Sequence, residues 1–463
     1  MKTKNISSKW LYQEGLRLDS KPYMSGAIEA REVLESLENI NLLKELTKGH
    51  NGGIFNGPKF SRTWVEDDRY GVPFLGSSTM LIADLSDLPL LRKKDAFSSK
   101  LSYLRLEPGA TLISCSGTIG RTVYAREDMA EMWTSQHIMK VVPDAAEVEP
   151  GYLYAYLSSK FGVPLIVSGT YGAIIQHIEP HHIVNIPVPR LSDEIEKRIS
   201  ILIQEAADLR SSAQKNRELA ILKVEQELKW ESLKLYNLCN NISASSLNRR
   251  FDAFHHSYSV TSARNNLSDY PDATPLRAVV EEVFEPNRGA RIKVDDQEFG
   301  VPFLSSSEVF RLDPTGEYLI SKKTPNFDRL LIQERDLLLP RSGQIGGIIG
   351  KAVLPLPTYY GHAATEHLVR IRCLNREDAY YLWAIFASQP GYYAAIGTAY
   401  GTSIPSLDCE LLSSLSIPWN KGSFREEIVD LVSKKVLNLN EAIQKERAAI
   451  SLVEENIKKL EAA

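Results

Sequence analysis

Two long segments of this chain repeat apolar positions at helical spacing. The stretch 192–238 reads SDEIEKRISILIQEAADLRSSAQKNRELAILKVEQELKWESLKLYNL and holds no Gly or Pro in 47 residues. Its apolar positions are Ile195, Ile199, Leu202, Ala206, Leu209 and Ala213, then Val224, Leu228 and Leu235. Steps of three, four and seven place them on one stripe of a helix. The stripe thins between Ala213 and Leu219, which marks a candidate register break. Pro187 and Pro189 stop helix before it, and Ser192 supplies an N-cap oxygen. At ~1.5 Å per residue an unbroken helix would span roughly 70 Å. A second stripe runs through Ile428, Leu431, Leu439, Ile443, Ile450, Val453, Ile457 and Leu460. Each stripe needs an apolar partner, and each can supply the other. Elsewhere the apolar runs are short. Those at 111–114, 122–125 and 137–142 predict strands bounded by Gly, Pro and Asp, and the aromatic-rich runs at 152–159 and 379–388 predict short helices. The predicted class is α+β.

What precedes each helix is the same sequence twice. Residues 55–94 align without a gap onto 284–323, an offset of 229, with about 15 of 40 pairs identical. YGVPFLGSSTM (70–80) faces FGVPFLSSSEV (299–309), and LISCSGTIG (112–120) faces LLPRSGQIG (338–346). SQHIMKV (135–141) faces TEHLVRI (365–371), GTYGAIIQHI (169–178) faces GTAYGTSIPSL (397–407), and IPVP (186–189) faces IPW (417–419). Arg17-Leu18-Asp19 matches Arg250-Phe251-Asp252 at the two starts. The plan is globule, helix, globule, helix. Two helices that follow equivalent globules pack antiparallel only if a pseudo-twofold axis relates the halves, which would set the globules at opposite ends of a rod.

Composition narrows the class. A chain of 463 residues with 43% hydrophobic and 24% charged residues has room for two or three soluble domains. The N-terminal MKTKNISSKW has no apolar h-region and no run of about 18 apolar residues occurs, so a cytoplasmic, membrane-free protein is expected. Cys115, Cys239, Cys373 and Cys409 are dispersed, as thiols in a reducing compartment are. The net charge of −4 means that any grip on nucleic acid must be local or shared with a partner.

Candidate chemistry is thin on the catalytic side. SGTIG and SGQIG lack the GK[ST] ending of a phosphate loop and read as turns between strands. His177, His181 and His182 crowd QHIEPHH, but Pro180 breaks any helix that would align them for a metal, and the second copy has no counterparts. His137 and His367 do match and read as structural. No Walker lysine, methyltransferase tetrapeptide or repeated nuclease carboxylates occur, so no catalytic residue is assigned. The basic residues repeat: Lys59 with Arg288, Arg62 with Arg291, and Lys93-Lys94 with Lys322-Lys323. Charges common to both copies suit phosphates, which look alike in any sequence. Positions that differ suit base edges: Trp64 against Lys293, Thr118 against Gln344, Arg121 against Gly347, Cys115 against Arg341.

The motif order GVPFLGSS, LISCSGTIG, GTYGAIIQHI and IPVPRL, leading into a charged helix, resembles the specificity subunit of type I restriction–modification systems. RLDS and RFDA resemble that family's opening motif; IPWNKG in the second copy departs from its pattern. The resemblance implies a non-catalytic subunit with target-recognition domains at 1–190 and 241–420, related by a pseudo-twofold axis. Antiparallel coiled-coil helices at 191–240 and 421–463 would separate them. It implies double-stranded DNA, two methylation subunits and restriction subunits as partners. The chain itself would carry no cofactor, S-adenosylmethionine being held by the methylation subunits. Each domain would read one half of a split site and the helices would set the spacer. A reader for a related phage-defence methylation system shares these features. A coiled-coil scaffold with two protein-binding globules is the rival from another class.

Overall fold

The computed structural model describes residues 3–13, 20–168, 177–231, 241–244, 247 and 250–462. Arg17-Leu18-Asp19, residues 169–176 of the GTYGAIIQHI motif, Leu235 and Cys239 lie outside them. The chain divides into two compact units, Met1–Ser211 with Glu441–Ala463, and Ser212–Asn440. The class is α+β.

Unit 1 holds two four-stranded sheets. The first runs Ile54–Phe55, Ile138–Val141, Thr111–Ser114, Thr122–Tyr124, all antiparallel. The second runs Trp64–Val65, Leu90–Arg92, Gly71–Leu75, Trp133–Thr134, with the last pair parallel. A third pairing joins Ile40–Leu42 to Pro187–Pro189. Unit 2 repeats the scheme. Val280–Phe284, Leu368–Cys373 and Asp336–Pro340 form one sheet. Lys293–Val294, Tyr318–Ser321, Gly300–Leu304 and Ala363–Ala364 form the second, its last pair again parallel. Ala273–Pro275 pairs with Ser416–Pro418. The GVPFL motif is the inner strand of the second sheet each time, and its glycine is required by close approach. A Cβ on Gly71 would meet Leu90 at 2.6 Å, and one on Gly300 would meet the Val294 side chain at 2.5 Å.

The first long helix is Asp193–Glu227 and the last is Ser423–Glu461. In unit 1, Ile199, Ile203 and Ala207 pack with Ala449, Val453 and Ile457 in the main core, with Ile195, Leu202 and Ile450 at its margin. Glu205 pairs with Lys445 at 2.8 Å and Arg210 with Glu446. Ile199 and Ile443 are both fully buried, whereas Leu209 is half-buried and Leu460 is exposed. In unit 2, Ala213, Ala220 and Val224 are buried on the first helix and Leu228 just past its end, and Ile428, Leu431, Val432 and Val436 on the last; Leu439 is half-buried. Here Lys223 pairs with Glu427 at 2.8 Å and Ser212 with Asn438 at 3.1 Å, so the partner number falls as the first rises and the segments run antiparallel.

Two sequence expectations change. The helix does not break between Ala213 and Leu219; Ala220 is buried there, while Leu219 and Leu222 face solvent. It does end early, at Glu227. Lys229 adopts φ 49°, its N–H donates to the Gln226 carbonyl, and the Trp230 N–H donates to the Glu225 carbonyl at 2.8 Å. That is a Schellman stop with lysine at the left-handed position where glycine is usual. Among the described residues no helix is long and apolar enough to cross a membrane.

Candidate nucleic-acid interface

In each unit the folded strands deliver several distant loops to one place. In unit 1 these are loops 56–63, 115–121 and 135–137, with His177 beside them. The Arg62 guanidinium lies over the rings of Phe60 and Phe74, at 5.6 and 5.2 Å, and donates to the Gln136 amide oxygen. That contact turns the Gln136 amide nitrogen toward His137 Nε2, 3.0 Å away. An amide nitrogen can only donate, so Nε2 accepts and the ring proton sits on Nδ1. Nδ1 lies 2.7 Å from Ser116 Oγ and donates to it. Burial, helped by the positive charges of Arg62, His177 and Lys59, holds the His137 pKa below its ordinary value, so the imidazole stays neutral. A histidine donating to a serine does not activate it as a nucleophile. The Ser116–His137 contact is therefore a tie between loops, and Ser116 also bridges to His177.

Unit 2 builds the same place from loops 285–292, 341–347, 365–367 and 400–406. Arg291 lies 4.6 Å from the Phe303 ring and donates to both oxygens of Glu366 at 2.7 Å. Phe74 and Phe303 are equivalent, as are Gln136 and Glu366, so one latch is built twice with a neutral partner in one unit and a charged one in the other. Burial pushes the Glu366 carboxyl up, but hydrogen bonds from the backbone and Arg291 outweigh it and hold the pKa below normal. Arg341 pairs with Glu285 at 2.6 Å, and its N–H donates to the His367 carbonyl at 2.8 Å. Ser342 and Ser406 hydroxyls are 2.7 Å apart, and the Gly343 N–H donates to the Pro405 carbonyl at 3.1 Å. The RFDA motif finds its role here: Arg250 donates to the carbonyls of Thr398 and Ala399, while its guanidinium pairs with Asp252 at 2.6 Å.

The candidate residues divide accordingly. Lys59, Arg121, Arg288 and Gln344 are exposed on these loops. Arg62, Arg291 and Arg341 each pair with a side chain of a neighbouring loop, Gln136, Glu366 and Glu285 in turn, and Arg291 stays exposed while doing so. Arg341 had been paired with Cys115 as a base reader; its ion pair with Glu285 commits it elsewhere, and Cys115 is buried. Lys93 and Lys322 belong to another place. Each donates from Nζ to a turn carbonyl, that of Arg69 or Glu298, at 3.1 Å. Each follows the partner of the glycine that opens the GVPFL strand, whereas the loops join that strand at its far end, where Ser135 and Thr365 donate to Leu75 and Leu304. Four strand steps put roughly 13 Å between the two ends. Lys94 and Lys323 are exposed beside Lys93 and Lys322. Gln136 and Glu366, and the exposed Tyr400 and Ile404 of loop 400–406, also belong to these loop clusters, and no sequence signal singled them out. His182 Nδ1 accepts from the Glu179 N–H at 2.9 Å, and no group of three or more metal-ligating side chains occurs among the described residues.

No protein-family model matches this chain, and no curated protein matches it. Solved structures do. The type I restriction-modification system S subunit from M. genitalium is 12% identical with a TM-score of 0.38, covering 92% of this chain and 96% of that one. The HsdS subunit from Thermoanaerobacter tengcongensis is 13% identical with a TM-score of 0.26, covering 90% and 95%. A chain from a study of complex assembly and conformational transition of the type I R-M system is 11% identical with a TM-score of 0.29, covering 91% and 98%. Each of these alignments spans at least nine-tenths of this chain.

Proposed function

We propose that this chain is the DNA-specificity subunit of a type I restriction–modification complex and does no chemistry itself. Each unit reads one half of a bipartite duplex site. The observation that carries this is the loop cluster built twice: a shared frame of Arg on Phe, latched to residue 136 or 366, presents unlike tips. A frame repeated with different tips suits two readers of unlike sequences on one common polyanion. Lys59, and Arg288 in the other unit, hold phosphates, while Arg121 reads a base edge. Thr118 and Gln344 face base edges, where an amide distinguishes adenine from the other bases in the major groove. The long helices act as a ruler and dock two methylation subunits, which bind S-adenosylmethionine and carry the target adenine chemistry; restriction subunits join that assembly. In unit 1 a groove of about 780 Å³ between the helices, lined by Ile201, Leu202, Ala448 and Leu452 within a rim of Glu and Lys/Arg, offers such a docking surface.

Methylome sequencing of a host carrying the chain with its methylation subunits tests the reading. The expected outcome is one site of two unlike half-sites at a fixed spacing. Exchanging residues 55–187 for those of a relative should change one half-site alone. A single continuous site, or a change in both halves, would overturn it.

A further inference from the structure

Loops 341–347 and 400–406 of unit 2 expose large apolar side chains at their tips. Ile404 is 68% exposed, Tyr400 49% and Ile345 40%. Between them lie SGQIGG and YGTSIPS, which carry no charge. Hydrogen bonds join the two loops, between the Ser342 and Ser406 hydroxyls and from the Gly343 N–H to the Pro405 carbonyl. Tyr400 and Ser406 exchange two backbone hydrogen bonds at 2.9 and 2.8 Å, closing a tight hairpin with Ile404 toward its end. Gly343, Gly346 and Gly401 take positive φ, and Arg250 fastens the entry of the hairpin from below. A loop bearing an exposed arginine is tied to the base of this tip. The Arg341–Glu285 ion pair joins that base to loop 285–292, which presents exposed Arg288.

We propose that this hairpin is a wedge: Ile404, backed by Ile345, enters the duplex between two base steps of the second half-site and bends it. The inference rests on the DNA reading above and deepens it. A charge-free tip enters a groove without stranding an ion, while Gln344, Thr402 and Ser403 offer polar atoms to base edges. Apolar wedges flanked by phosphate-binding cations are a general way to unstack and kink DNA. The occupant is the duplex, since an apolar point on a loop tied to one that presents arginine suits a stacked polyanion.

The test uses the full chain assembled with its methylation subunits, and a duplex carrying the site found by methylome sequencing, with end-to-end energy transfer reporting the bend. Ile404→Ser and Ile345→Ser should each weaken duplex binding about tenfold and reduce the bend. The salt slope should stay the same, because no phosphate contact is lost. Arg288→Ala should instead make that slope shallower. Ile404→Leu, which keeps a wedge, should retain the bend and report on folding. Unchanged affinity and bend in Ile404→Ser would overturn the wedge and leave the DNA reading standing. Loss of methylation-subunit assembly with duplex binding intact would also overturn it, by showing that the tip docks protein. A wild-type complex that binds no duplex would remove the DNA reading and the wedge together.

Discussion

The equivalent residues Lys140 and Arg370 show what a buried cation requires. Arg370 is fully buried and its guanidinium reaches the carbonyls of Leu368, Leu330 and Ala364 at 2.8–3.2 Å. Lys140 is as deeply buried, with its Nζ over the Phe55 ring at 4.9 Å and no hydrogen-bond acceptor. Burial drives its pKa down to about 7 from 10.5, against the weaker pull of Glu107 and Cys115. Below about 7 both folded and unfolded chains hold the proton. Between about 7 and 10.5 only the unfolded chain does, so unit 1 gains stability as pH rises, by at most about 1.4 kcal/mol per pH unit. Lys140→Met should raise the urea midpoint at pH 7 and flatten the profile between pH 7 and 10; an unchanged slope would show that the ammonium is hydrated. The twin latch gives a second contrast. Arg62→Ala strands a neutral amide, whereas Arg291→Ala strands the half-buried Glu366 carboxylate beside solvent, and should cost about 1 kcal/mol more of unit 2 stability. Adding Glu366→Gln should restore most of that loss, measured by denaturant unfolding at pH 7. Little of this was legible in sequence. The repeat made Arg62 and Arg291 conspicuous, but their partners Gln136 and Glu366 lie 74 and 75 residues away, and nothing in residue order links them.

At the scale of elements, the two long helices and the repeated GVPFL strand were legible, because a stripe of apolar side chains and a gapless match are written directly in residue order. The end of the first helix was not. Helix stops are read from Gly and Pro, and 192–238 has neither; the chain stops on Lys229, whose left-handed backbone penalises any residue bearing a Cβ. The tertiary frame outweighs that penalty: Leu228 is buried, the Trp230 indole N–H donates to the Gln389 side chain at 3.1 Å, and Glu225 accepts from the Gln389 N–H at 2.9 Å. Lys229→Gly should therefore stabilise unit 2 by about 0.5–1 kcal/mol, since the native geometry is already the one glycine prefers. Thermal unfolding would show it, and a destabilised variant would mean that the lysine side chain contributes more than the strain removes. The early stop also shortens the strut available to any spacer, from the 47 residues first read as helix to the 35 observed.

For the whole molecule the sharpest consequence is metric. If the helices hold the two readers apart, the spacing between half-sites is set by helix rise, and a change in helix length must appear as base pairs. One heptad inserted into each long helix adds about 10.5 Å along the axis, which matches about three base steps of ~3.4 Å. Two heptads correspond to about six. A whole heptad preserves the apolar stripe, so the helices in each unit keep their pairing and the loop clusters are untouched. The spacer in the methylated site should lengthen by about three base pairs per heptad while both half-sites stay the same, and each added base pair also turns the duplex by about 34–36°. The protein must follow that turn, so the variants should methylate best where added length and added rotation agree. An insertion that leaves the spacer as it was would mean that something other than the helices sets the distance, and one that alters a half-site would mean that the readers are not independent of the frame.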